Sequence, residues 1–323
     1  MSASDAPCAT VLVVGEALVD EFDDGQRVAG GAPFNVARWL AALGVPTCFI
    51  SRVGRDDIGA RCLQVSAQGV GLSMRGVQLD DLHPTGCVQV STTATGHHFT
   101  IGSPAAWDHI DAGQALKVLR ATAPKAVVFG TLAQRHPTSR RAITQLLQDT
   151  TALRIADLNL RTGTDTAELA EHTLNQADWL KVNEDEWSQL LSWFRPLADP
   201  ARLEPAGDVE ARTRRALVQR FGLQRVVVTC GERGWYTLNA DADIDARGAA
   251  VAVPDLVDTV GAGDSFLAVL VAGWVRGQDL NTSLHQASRL AAAVCGQQGA
   301  MPDDVEFITH WRDQLTPSGA THT

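Results

Sequence analysis

The chain has 323 residues, of which 45% are hydrophobic and 20% are charged, and this balance excludes a largely disordered protein. Lysine and arginine total 27 and aspartate and glutamate total 37, so the formal net charge is −10. Nonspecific binding to nucleic acid or to an anionic membrane requires a basic surface, so we expect no nucleic-acid partner and no membrane partner.

The cysteines and the apolar runs indicate the compartment. The six cysteines are scattered, with no two of them in a CxxC motif, which is typical of reduced thiols. The longest apolar run, Phe266 to Val275, is about half the length that a membrane-spanning helix needs. A soluble, cytoplasmic protein is therefore expected.

Short apolar segments alternate with amphipathic segments along the chain. Segments rich in Val and Ile predict buried strands at Thr10–Val14, Cys48–Val53, Ala126–Phe129, Arg154–Asp157, Trp179–Val182 and Arg225–Thr229. Amphipathic segments predict helices at Asn35–Leu43, Ile58–Gln68, Asp111–Ala121, Thr138–Asp149, Glu168–Gln176, Asp185–Trp193, Asp208–Phe221, Asp264–Arg276 and Leu280–Cys295. Such alternation predicts an α/β fold, with a doubly wound, mostly parallel sheet and helices on both faces. We interpret residues 1–323 as a single domain.

Two regions interrupt this alternation and predict a small β lid. Gly86–Val90 and His97–Ile101 alternate in polarity around a short polar turn, which is typical of a hairpin. Phe22–Gly31 follows the first strand without a helix and can supply further strands. We therefore expect a lid formed from approximately residues 20–31 and 83–105.

The lid also suggests an oligomer. It carries four apolar residues, Val88, Val90, Phe99 and Ile101, which we expect to be exposed. An exposed apolar sheet with free edges favours pairing with a second copy, so we predict a homodimer in which two lids pack together.

The strongest local motif is a Gly-Ala-Gly turn, Gly261–Gly263, that opens a predicted helix. Free N–H groups at a helix N-terminus bind anions, and small side chains let a phosphate approach the backbone. Asp264 follows directly and could accept a proton from a hydroxyl group beside a bound phosphoryl group. By itself the pattern also fits an ordinary glycine-rich helix start, with Asp264 as a first-turn acid. No Walker motif is present in the sequence, so the turn is not a P-loop.

Motifs along almost the whole chain resemble one family. Asp258–Gly273 resembles the C-terminal signature of the ribokinase-like (PfkB) sugar kinases, and Gly30–Gly44 resembles their N-terminal signature. Five further segments match in the family's order: Gly15–Asp20, Val53–Gly59, Asp157–Arg161, Lys181–Glu186 and Thr229–Gly234. The resemblance implies a doubly wound sheet with a small β lid over the sugar, and an active site at the carboxyl ends of the strands.

The same resemblance implies the site residues. Asp264 would be the catalytic base, with Gly261, Ala262 and Gly263 holding the transferred phosphoryl group. The residues implied to bind the sugar are Asp20, Gly30, Gly31, Asn35 and Arg161. The residues implied to bind ATP are Asn183, Thr229, Gly231, Gly234 and Ser288. Without the resemblance, Asn35 would be a helix cap and Arg161 a surface salt-bridge residue.

Metal ions are implied as well. Glu186, together with Asn183, would position Mg²⁺ near the phosphates through water, and Mg²⁺ needs few carboxylate ligands. On an isolated helix these two residues would be surface polar positions. A monovalent cation such as K⁺ is implied at five residues: Asp258, Val260, Val294, Gln297 and Gly299.

The resemblance predicts an ATP-dependent sugar kinase, and the fructokinase branch matches best, at Gly15–Leu18, Gly31–Asn35, Phe129–Ala133 and Asp157–Arg161. Alternatives are a 2-keto-3-deoxygluconate kinase, in which an arginine at the Arg161 position holds a carboxylate, and a ribokinase-type kinase. A non-catalytic sugar or nucleotide sensor is an alternative of another class, but it would not need the set Asp20, Asn183, Glu186 and Asp264. Phe34 stands where the family often has a small residue, so we expect it to reshape the sugar pocket.

Overall fold

The computed structural model describes residues 10–55, 58–93, 96–161, 165–195 and 209–315. In chain order its strands are β1 (Val11–Val14), β2 (Leu18–Phe22), β3 (Arg27–Gly30), β4 (Thr47–Gly54), β5 (Ser73–Asp80), β6 (Gly86–Thr93), β7 (Gly96–Ile101), β8 (Ala126–Gly130), β9 (Leu153–Asp157), β10 (Trp179–Asn183), β11 (Arg225–Thr229), β12 (Trp235–Leu238) and β13 (Ile244–Gly248). Its helices are α1 (Ala32–Ala42), α2 (Gly59–Gly69), α3 (Ala112–Thr122), α4 (Pro137–Gln148), α5 (Ala167–Leu174), α6 (Glu184–Trp193), α7 (Val209–Phe221), α8 (Ala262–Val275), α9 (Leu280–Cys295) and α10 (Val305–Leu315).

The larger sheet has nine strands in the order β13-β12-β11-β10-β9-β8-β1-β4-β5. Its strands are parallel from β5 to β11, and β12 and β13 add an antiparallel edge. The central strand β1 is buried along its whole length: Leu12 and Val14 belong to one apolar core, whereas Val11 and Val13 belong to another. Strands buried on both faces are typical of parallel sheets covered by helices. The predicted doubly wound α/β fold is therefore confirmed.

Four strands form a separate small sheet in the order β3-β2-β6-β7. Strands β6 and β7 pair antiparallel, as the alternating pattern predicted, and β2 and β6 pair parallel. The expected exposure of the lid valines is wrong: Val88 is 4% exposed and Val90 is 2% exposed. They pack with Leu18 in a small core, because alternate residues of β2 and β6 point to the same face of the sheet. The side chain of Phe99 lies outside the described part of the chain.

Several elements were not anticipated. Strand β5 lies at the edge of the larger sheet and was not predicted from the sequence. It carries Arg75, Gln78 and Asp80 and alternates in burial, so it lacks the apolar run by which the inner strands were found. Strands β12 and β13 and helix α10 were also missed. Within the described residues no helix is both long enough and apolar enough to cross a membrane.

Candidate active site

The Gly-Ala-Gly turn lies at the start of α8. Gly261 has a φ of 78°, in the left-handed region, and a Cβ atom there would lie 2.4 Å from Cα of Ala300. Both the backbone conformation and the close packing therefore require glycine at this position. Ala262 and Gly263 form the first helical residues, where backbone N–H groups lack carbonyl partners within the helix. The Ala262 N–H donates to the Thr259 carbonyl oxygen over 3.3 Å, so the turn can offer the N–H groups of Gly261 and Gly263 to an anion.

Asp264 is in the first turn of α8 and is 7% exposed. Its Oδ2 accepts a hydrogen bond of 2.9 Å from Nδ2 of Asn35, in the first turn of α1. Burial raises the pKa of Asp264 to about 6. The charge of Asp157 also raises this pKa, whereas Lys181 and the Asn35 amide lower it. A carboxyl group with such a pKa can act as a base near neutral pH.

Asp20, Gly30 and Gly31 come together where β2 and β3 pair. A Cβ atom on Gly30 would lie 2.6 Å from Oδ2 of Asp20, so the carboxylate rests against the glycine. Gly31 has a φ of 104°, and a Cβ atom there would lie 2.7 Å from the carbonyl oxygen of Glu16. Burial raises the pKa of Asp20 to about 6. These two glycines leave space beside a carboxylate, as a sugar site requires.

Arg161 follows β9 and its charge acts on several carboxyl groups. It lowers the pKa of Asp20, Glu16, Asp165 and Asp264. Glu16 is 3% exposed, and burial raises its pKa to about 7. No role was predicted for Glu16 or Asp165 from the sequence. Glu16 lies within the quoted Gly15–Asp20 motif, and an acid directly after the glycine that follows a buried strand is the signal that could have identified it.

Lys181 and Asp157 form a buried ion pair that the sequence analysis also missed. Lys181 Nζ lies 3.0 Å from Oδ1 of Asp157, and each side chain is 5% exposed. The two residues face each other across the neighbouring strands β10 and β9. Lys181 is the single charged residue within the apolar segment Trp179–Val182, and a buried charge requires a partner. The need of Lys181 for a buried partner was therefore the sequence signal that could have identified this ion pair.

Asn183 and Glu186 form a capping box at the start of α6. Asn183 Oδ1 accepts a 2.9 Å hydrogen bond from the Glu186 N–H, and Glu186 Oε2 accepts one of 2.8 Å from the Asn183 N–H. Glu186 Oε1 accepts a third, of 2.8 Å, from the Leu160 N–H. Each carboxylate oxygen has a second lone pair, so Glu186 can still accept hydrogen bonds from metal-bound water. The pair therefore keeps the acceptor capacity that the expected water-mediated Mg²⁺ contact needs.

The residues expected to bind the nucleotide lie around the end of β11. Thr229 is paired with Asn183 across β11 and β10. Gly231 and Gly234 have φ values of 56° and 92°, and they flank a tight turn. An open groove of about 440 Å³ adjoins this turn, and it is lined by Cys230, Arg233, Trp235, Tyr236, Ile244, Arg247, Gly248 and Ala249. Ser288 lies on α9 one turn after His285, whose ring centroid is 5.3 Å from that of Trp235.

Of the five residues expected to bind a monovalent cation, Val294 lies in the last turn of α9 and the other four lie in two neighbouring loops. Asp258 accepts hydrogen bonds of 3.0 Å from the N–H groups of Val260 and Gly299. The carbonyl oxygen of Val294 accepts a 2.9 Å bond from the Gln297 N–H. Among the described residues, no group of three or more His, Cys, Asp or Glu side chains is arranged to hold a metal ion. Any cation here would therefore depend largely on backbone carbonyls.

Known proteins match this chain over nearly the same residues as the sequence motifs do. Residues 9–306 match the family model described as pfkB family carbohydrate kinase. The ribokinase of Arabidopsis thaliana is 27% identical, over 93% of this chain and 80% of that protein. The fructokinase of Escherichia coli is 28% identical, over 82% of this chain and 84% of its own.

A solved structure has the same fold. The fructokinase of Vibrio cholerae, in a form with fructose, ADP and potassium ion bound, superposes with a TM-score of 0.73 and is 21% identical. The superposition covers 93% of this chain and 96% of the fructokinase.

Proposed function

Since the chain belongs to the pfkB family of carbohydrate kinases, which phosphorylate a sugar hydroxyl group, we propose that it uses ATP to phosphorylate a neutral sugar, and that this sugar is fructose. Support for fructose comes from the segments Gly31–Asn35, Phe129–Ala133 and Asp157–Arg161, which resemble the fructokinase branch. The similarity to the fructokinase of Escherichia coli agrees with this choice.

The charge around Arg161 is the observation that supports a neutral sugar. This one arginine acts on four carboxyl groups, those of Glu16, Asp20, Asp165 and Asp264. An excess of carboxyl groups repels a substrate that carries a carboxylate or a phosphate, whereas it can accept hydrogen bonds from sugar hydroxyl groups. The charge balance therefore favours fructose or ribose over 2-keto-3-deoxygluconate.

In the proposed reaction, Asp264 takes the proton from the attacking hydroxyl group. The resulting oxygen attacks the terminal phosphorus of ATP, and the bond to ADP breaks. The Asn35 amide holds the Asp264 carboxylate in place, and the N–H groups of the turn Gly261–Gly263 stabilise the phosphoryl charge. Asn183 and Glu186 would hold Mg²⁺ through water, which would neutralise phosphate charge; the Asp258 loops would hold K⁺.

A homodimer through the small sheet belongs to the same proposal. Its support is no longer the valines Val88 and Val90, which are buried. The remaining support is that β3 and β7 are edge strands of that sheet, and edge strands can pair with a second copy. Light scattering at micromolar concentration should give twice the monomer mass, and a monomer alone would overturn the dimer.

A coupled ADP-release assay tests the substrate. Fructose, ribose, 2-keto-3-deoxygluconate, glucose and adenosine are each supplied with MgATP over a concentration series. We expect kcat/KM for fructose to exceed the values for the other four by at least about tenfold. A higher value for ribose or ketodeoxygluconate would overturn fructose as the substrate. If ATP binds and none of the five compounds is phosphorylated, the non-catalytic sensor replaces the kinase as the proposed function.

A further inference from the structure

The buried pair of Lys181 and Asp157 lies directly behind the Gly-Ala-Gly turn. A Cβ atom added to Gly263 would lie 2.8 Å from Lys181 Nζ, so the ammonium group occupies the space that a side chain at Gly263 would need. Lys181 also interacts electrostatically with Asp264 and Glu186. One buried cation therefore acts on both the candidate base and the acid of the capping box at the start of α6.

Stability does not explain why this pair is charged. A buried ion pair gains little over apolar residues of similar size, because both charges lose their hydration. The same two strands use apolar pairs one and two residues earlier, Leu180 with Ala156 and Trp179 with Ile155. Only the pair at the carboxyl end of β9, where the active site lies, is ionic. Its position suggests a role in the chemistry of the site.

We propose that Lys181 and Asp157 are positioning residues that act on Asp264 with opposite sign, Lys181 favouring its ionised carboxylate and Asp157 opposing it. This inference rests on the proposed function, in which Asp264 is the base. Asp157 holds Lys181 by the 3.0 Å contact and limits its effect. With Lys181 acting alone, Asp264 would be ionised but a weaker base, and with Asp157 acting alone it would be protonated too readily.

The electrostatics of Asp264 agree with this arrangement. After burial, the charge of Asp157 is the largest influence that raises its pKa, and the charge of Lys181 is the largest that lowers it. The remaining polar and charged groups that act on Asp264 or on Lys181 are Asn35 on α1, Arg161 after β9, Glu16 after β1 and Glu186 on α6. Of these groups, Glu186 is itself affected by both members of the pair, because Lys181 lowers its pKa and Asp157 raises it.

Three variants, Asp157→Asn, Lys181→Met and the double variant, test the inference. For each protein, kcat/KM for fructose is measured with MgATP as a function of pH. The acid limb of this profile, the pH range over which activity falls as the base is protonated, is compared between the variants. We expect Asp157→Asn to move this limb down and Lys181→Met to move it up, each by at least about half a pH unit. The double variant should lie between the two. Asp185→Asn, an exposed acid on α6, is the control and should not move the limb.

A second readout separates this inference from the proposed function. The Asp264 carboxyl carbon is titrated by NMR in aspartate-labelled protein, and Asp264→Asn assigns the signal. Shifts of opposite sign in the two single variants support the inference even if none of the sugars is phosphorylated, which would contradict only the kinase proposal. Shifts of the same sign, or shifts no larger than those of Asp185→Asn, would overturn it. If Lys181→Met fails to fold, Asp157→Asn must still lower the titration midpoint, and an unchanged midpoint would overturn the inference.

Discussion

Gly30→Ala should weaken sugar binding by displacing one carboxylate. The new Cβ atom would lie 2.6 Å from Oδ2 of Asp20 and 3.0 Å from Cδ1 of Leu18. Real Cβ atoms do not approach other atoms so closely, so the Asp20 carboxylate must move away from β3. Because Gly30 does not have a positive φ, alanine adds no backbone strain, and the closest contact that must be relieved is with that carboxylate, followed by the contact with Leu18.

The size of the effect follows from the hydrogen bonds that Asp20 would lose. A hydrogen bond to a charged group contributes about 1.5–3 kcal/mol. Losing one such bond to the sugar corresponds to an increase in KM for the sugar of about tenfold to a hundredfold. The KM for ATP should stay within about twofold, because Asp20 lies on the small sheet, away from the turn after β11.

Steady-state kinetics with fructose and MgATP measure both constants. Gly69→Ala is the matched control, since a Cβ atom there meets no atom within 4 Å. It should leave both constants unchanged. A Gly30→Ala enzyme with an unchanged KM for the sugar, or with equal increases in both constants, would refute the placement of the sugar beside Asp20.

Two further predictions concern the metal ion and the pH dependence of stability. Glu186→Gln should raise the Mg²⁺ concentration for half-maximal activity several-fold, because glutamine can keep the capping box without the charge; Asp185→Asn should not. Burial and the rings of His83 and His136 lower the pKa of His109 below 6.5, so the unfolded chain binds its proton more tightly. Protonation of His109 should therefore lower stability below about pH 6.5, whereas protonation of Glu16, Asp20 and Asp264, whose pKa values are raised, should increase it. Between pH 7.5 and 5.5 the change in Tm should be more favourable for His109→Gln than for the wild type, and equal changes in both proteins would contradict this.

The inner part of the fold could be predicted from the sequence because its strands consist mainly of apolar residues. Val11–Val14 and Arg225–Thr229 are buried between helices, and such runs are visible without knowledge of tertiary contacts. Strands β5, β12 and β13 lie at or near the sheet edges and carry polar residues. Their identity depends on which neighbour they pair with, and that information is not local.

Predictions for individual residues of the site were only partly correct, because their contacts also depend on information that is not local. The motifs placed Asn35 and Asp264 in one site, and the structure joins them although they are 229 positions apart. Phe34, expected in the sugar pocket, is fully buried and its ring centroid lies 5.3 Å from that of Phe49. A helix residue next to a site residue points to another side of the helix, so Phe34 faces the core.

The missed residues are those whose role depends on a distant partner. Lys181 and Asp157 are 24 positions apart and meet only because β9 and β10 are adjacent. Each was part of a quoted motif, yet neither motif contains the other. Burial of both charges, which the sequence does not reveal, is what makes the pair informative.

Asp264→Asn tests the central claim, that this carboxylate is the base of a sugar kinase. Asparagine keeps the size of the side chain and can still accept the Asn35 hydrogen bond, but it removes the basic group. We measure kcat with fructose and ATP affinity in the same preparation. The account predicts a fall in kcat of at least about a hundredfold, with ATP affinity within a few-fold. A variant that keeps more than about a tenth of the wild-type kcat would contradict it, and Asp264 would then be only a first-turn acid of α8.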